Sequence, residues 1–165
     1  MNNGSISKKR GICLVLLIAW MIFIFSMSSM NSDDSAGLSG EITRTVVRIT
    51  TPDFDTLSPE RQTEVWASTE TAVRKTAHAA EYLILGILAM LLLSTFRRKA
   101  QIQVVLAILL CAAYAATDEF HQLFSAGRSC QATDVLIDTA GAAAGVLATA
   151  GILKTRKGKK SAAGV

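Results

Sequence analysis

The sequence contains no CxxC pair, no HExxH, and no serine or cysteine nucleophile signature. Its three cysteines are an odd number, so no disulfide framework is implied. Cys13 and Cys111 lie inside apolar segments, where a thiol packs as a small hydrophobe. Cys130 lies in a polar loop, with a metal role as its alternative. Without a zinc or nucleophile motif, the residues name no reaction class. Acidic residues are missing wherever the basic ones gather. The N-terminus, residues 97–99 and the tail hold three, three and five of the 17 Lys and Arg, and none of the 13 Asp and Glu. The net charge of +4 and the pI of 9.2 therefore do not point to nucleic acid, because the basic residues form short runs beside apolar segments.

What is present is apolar and blocked. The 165 residues leave room for one domain, half of them are hydrophobic, and mean hydropathy is +0.37. The first apolar run, Ile12 to Met27, is slightly short of the roughly 20 residues that cross a bilayer. It follows Lys8, Lys9 and Arg10, and a signal peptide is the alternative. No small-x-small cleavage site follows, so a retained anchor within 12–30 is expected. Further spans are predicted at about Thr76 to Phe96, Ile102 to Thr117 and Thr133 to Leu153. Asp33, Asp34, Ser35, Gly37 and Gly40 read as loop. Ser58-Pro59-Glu60 reads as a helix start that runs on into the second span. The expected fold is all-α: four membrane helices and an outer helix leading into the second.

Lys and Arg favour the cytoplasmic side. Four spans with both termini inside place all three basic clusters there. The chain then divides into a cytoplasmic N-terminus (1–11), the first span (12–30), an extracytoplasmic segment (31–74), a three-helix membrane region (75–153) and a basic cytoplasmic tail (154–165). The loop after the third span also faces outward.

Polar side chains inside spans are costly and usually functional. In the second span, Lys75, His78 and Tyr82 lie within about 60° of one another, with Glu81 about 60° further round. Snorkelling accounts for Lys75 and an interfacial position for Tyr82, but His78 and Glu81 need partners in the bundle. In the third, Asp118, Gln122 and Ser125 share a face, His121 lies beside it, and Glu119 points elsewhere. If the helix stops there, its dipole opposes Asp118 and Glu119, and Lys75, Arg128 or a cation would compensate. In the fourth, Asp134, Asp138, Gly141 and Gly145 fall within about 60° of arc. Glycines four apart admit another helix, so this stripe should face the bundle with both carboxylates at its outer end. Asp134 alone would serve as a first-turn carboxylate; Asp138 lies a turn deeper. All three sets fall on the outer half of the membrane.

R-K-T-A-H-A-A-E-Y-L-I-L-G (74–86), D-E-F-H-Q-L-F-S-A-G-R (118–128) and T-D-V-L-I-D-T-A-G-A-A-A-G (133–145) resemble, in order, the motifs of the VanZ-like family of small bacterial membrane proteins. The resemblance covers roughly residues 70 to 150 and maps onto Lys75, His78, Glu81, Tyr82, Asp118, Glu119, Gln122, Phe124, Gly127, Arg128, Asp134, Asp138 and Gly141. Ala79 and Ala126 stand where the family often has an aromatic residue and a proline. The family's named member is linked to low-level teicoplanin resistance, which implies a cell-envelope role and no defined reaction. Lipids, a phosphate-bearing envelope lipid or a glycopeptide target are then the expected partners, with Lys75 and Arg128 as the phosphate contacts. Two other readings stay open. One is a membrane enzyme on a lipid-linked envelope precursor, with a divalent cation drawn from His78, Glu81, Asp118, Glu119, His121, Asp134 and Asp138, and His78, Asp118 and Asp138 its leading ligands. The other is a small proton-coupled carrier, which lacks polar residues through the inner halves of the spans.

Overall fold

The computed structural model describes residues 3–29, 32–122 and 132–162. Among them are five α-helices and no strand: α1 (Asn3–Ser28), α2 (Ser32–Thr50), α3 (Pro59–Leu93), α4 (Ala100–Gln122) and α5 (Ala132–Ala162), with a 3-10 turn at Phe54–Thr56. Four helices, all but α2, are long and apolar enough to cross a membrane. Large apolar side chains cover their outer surfaces, among them Ile12, Val15, Ile22, Leu109, Leu136 and Leu147. A surface of that kind is stable in lipid and not in water, so the chain is a multi-pass membrane protein.

The helices are longer than the expected spans. Ser58 accepts a hydrogen bond from the Arg61 amide and Pro59 occupies the first turn, so α3 starts where the sequence signals it. It then continues unbroken for 35 residues, about 52 Å at 1.5 Å per residue. A bilayer core is about 30 Å thick, so α3 is longer than a single crossing requires. The stretch from Asp33 to Gly40, expected to be loop, belongs to α2, which packs on α3. Its helical signal is the spacing of Thr43 and Val47, the two buried residues on its α3-facing side. Helix α4 continues past Thr117 to Gln122, and α5 carries the basic tail.

Side-chain contacts fix the helix directions. At the start of α1, Arg10 donates to Thr95 O (3.1 Å) and lies 4.0 Å over the Phe96 ring, beside the α3–α4 turn. At its other end, Ser28 meets Asp118 and Gln122 in α4. Helices α1 and α4 therefore run parallel. Helices α3 and α5 run the opposite way, parallel to each other and in the most extensive contact of the bundle. That contact is built on glycine. A Cβ added at Gly141 would strike the Ala79 carbonyl, one at Gly145 the Leu83 carbonyl, and one at Gly86 the Ala142 carbonyl. Lipid gives little hydrophobic drive for helix pairing, so close backbone approach and dispersion hold such helices together. The bundle thus has two chemically distinct ends: a basic end with Lys8–Arg10, Arg97–Lys99 and the α5 tail, and a polar end with the acidic and histidine side chains.

Candidate functional site

At the polar end, Lys75 of α3 bonds Asp134 of α5 at 2.5 Å, joining the two parallel helices above their glycine contact. Both partners are about one-third exposed (34% and 29%), so the pair is only partly withdrawn from water. One turn further in, His78 Nδ1 and Glu81 Oε2 lie 3.6 Å apart, both half-buried. Tyr82 follows and is fully buried. Deeper on α5, Asp138 is 5% exposed and lies within electrostatic reach of Asp118, Asp134, Glu119 and Glu81. Three helices thus bring their carboxylates to the same end of the bundle, at successive depths.

Helix α1 supplies a fourth wall that the sequence did not point to. Gln122 Nε2 donates to Ser28 Oγ (2.8 Å), and Ser28 Oγ donates to Asp118 Oδ2 (2.9 Å). Trp20 Nε1 donates to the Glu81 carbonyl (2.9 Å), and Tyr114 OH to the Met21 carbonyl (2.6 Å). Ser28 is fully buried; its only sequence signal is a small polar residue at the outer end of an apolar run. Ser29 lies 3.2 Å from His121 Nε2, and Phe25 packs on the His121 ring at 4.4 Å.

Several expectations change. Glu119 does not point away from the bundle: it is 3% exposed, as buried as Asp118. The physical reason is that α4 continues beyond the expected end at Thr117 to Gln122, so residues 118 and 119 fall within the helix, where Asp118 meets Ser28 of α1. His121 sits against α1, not among the carboxylates, although it and His78 both reach Asp118 electrostatically. Among the described residues, no group of three His, Cys, Asp or Glu side chains is close enough to hold a metal ion. Cys13 and Cys111 are free thiols within the apolar helices, Cys111 fully buried. Phe124, Ser125, Ala126, Gly127, Arg128 and Cys130 lie outside the described residues.

Comparisons with curated proteins and with solved structures give no match. The VanZ/LLP1 family profile matches residues 13–154. That match extends beyond the three motifs to take in α1 and α2, including the segment before residue 70 for which the motifs gave no support. It covers most of the chain, and on that ground this protein belongs to the VanZ/LLP1 family.

Proposed function

We propose that this protein acts at the outer face of a bacterial cytoplasmic membrane, where it binds or reorganises an envelope component and so alters glycopeptide access. The supporting observation is segregation: buried polar side chains converge at one end of the bundle, and three basic clusters lie at the other. Basic clusters favour the cytoplasm, so the polar end faces out and both termini face in. The link to teicoplanin comes from the VanZ-like family. Lys75 is engaged with Asp134, so phosphate contact through it would require that pair to open. A second reading is a membrane enzyme on a lipid-linked precursor. In its favour, Asp118 has an unpartnered carboxylate oxygen near the His78 imidazole, a pairing suited to proton transfer.

The test is teicoplanin susceptibility of a sensitive bacterium expressing the chain. Wild type should raise the inhibitory concentration. His78→Ala, Asp118→Asn, Arg128→Ala and Asp138→Asn should each return it to the vector level with the protein still in the membrane. Double substitutions should lose little beyond the singles, because members of one site act as a unit. Partial losses that add independently would contradict a single site.

A further inference from the structure

We propose that the polar end binds one small monovalent cation through oxygen atoms of Tyr82, Asp118 and Asp138. This rests on the reading that the polar side chains form one site. The hydroxyl of Tyr82, which is fully buried, and Oδ1 of Asp118, which is 3% exposed, have no hydrogen-bond partner among the described residues. An orphaned buried polar atom has lost its water without gaining a replacement partner. The neighbouring phenol, Tyr114, lies 6.2 Å away ring to ring and has the Met21 carbonyl as its acceptor. The orphan is therefore specific to Tyr82.

Asp118 is also held in place. The chain from Gln122 through Ser28 occupies Oδ2 and fixes the carboxylate plane, leaving Oδ1 for another ligand. Asp138 lies within electrostatic reach of both Tyr82 and Asp118, and Glu81 and Glu119 add negative charge around them. Lys75 does not neutralise this group, because its ammonium is bonded to Asp134. The imidazoles of His78 and His121 also lie within electrostatic reach of Asp118. Like charges oppose joint ionisation of crowded carboxylates, and a cation between them relieves that cost. Calcium takes roughly six to eight oxygens, and magnesium usually keeps several waters of its octahedral shell beside one or two carboxylates. Two carboxylates and a phenol, all at least nine-tenths buried, leave little room for such a shell and suit a singly charged, more easily dehydrated ion.

The experiment uses the purified full chain in detergent. Thermal unfolding is followed as NaCl or KCl replaces choline chloride at constant ionic strength, with equilibrium binding of radioactive sodium alongside. Wild type should bind one sodium per chain and melt about 3–6 °C higher at ten times the dissociation constant. Tyr82→Phe and Asp118→Asn should lose both responses. Without alkali cations, Tyr82→Phe should melt no lower than wild type, because it removes the orphaned hydroxyl. The inference is overturned if wild type melts alike in all three salts, or if the response survives in both variants. It is equally overturned if only calcium or magnesium stabilises, or if only acid does, which would indicate a shared proton. Loss of the glycopeptide phenotype in the polar-end variants, without a cation response, would sink this inference and leave the proposed function standing. A cation response without any phenotype would do the reverse.

Discussion

At the basic end, Arg97, Arg98 and Lys99 are exposed on the turn between α3 and α4, and Arg10 rests on the face of Phe96. At the polar end, Asp118, Glu119 and Asp138 are almost wholly buried between helices. Both ends are charged, yet the physical demands differ. An exposed charge at a membrane surface stays solvated and needs no partner. A buried carboxylate loses its water and must be compensated by hydrogen bonds, an ion pair, a proton or a cation. Sequence counts alone treat the two ends as equivalent charge clusters; burial separates a group that sets orientation from one that invites chemistry.

The largest effect should come from the packing that holds the polar end together. Gly141 lies one turn below Asp138, against the Ala79 backbone, while Gly151 of the same helix, towards the basic end, has nothing within 4 Å of an added Cβ. Gly141→Ala should cost about 1–3 kcal/mol through overpacking against a carbonyl that cannot rotate away. Gly151→Ala should be neutral or slightly stabilising, since alanine is the better helix former. Melting of the purified variants checks this. Equal melting temperatures would mean that α3 and α5 do not approach as closely as described.

A smaller effect should separate the charged side chains at the two ends. Lys75→Ala leaves Asp134 without its partner, and the double-mutant cycle with Asp134→Ala should give a coupling of about 1 kcal/mol, modest because both groups retain solvent. Arg98→Ala at the basic end should stay within about 0.5 kcal/mol of wild type. A coupling near zero would reduce Lys75 and Asp134 to separate interfacial charges.

The spans were legible because each is a long apolar block flanked by charge, and the start of α3 was legible from Ser58 and Pro59. The three polar motifs marked Lys75, His78, Glu81, Asp118, Asp134 and Asp138 because charged side chains stand out in apolar helices. The rest was not legible, for specific reasons. Helix α2 opens with Asp33, Asp34, Ser35, Gly37 and Gly40, which favour turns locally, and packing on α3 overrides that preference. Ser28 looks like any interfacial serine until α1 is laid beside α4. Gly86 lies in an apolar run without a glycine partner four residues away, so only the α5 backbone reveals its purpose. The burial of Glu119 was not legible from one helix alone, because α4 packs on α3 and α5 and touches α1 as well.

The central claim is that the polar end faces outward, and thiol labelling tests it most directly. With Cys13, Cys111 and Cys130 replaced by alanine, a single cysteine is introduced at Thr63, exposed near the start of α3, or at Lys159, exposed on the tail of α5. An impermeant maleimide is then applied to intact cells. Labelling of Thr63→Cys, with Lys159→Cys labelled only after lysis, is the expected result. Labelling of Lys159→Cys in intact cells, with Thr63→Cys protected, would put the polar end in the cytoplasm and contradict the proposed action at the outer face.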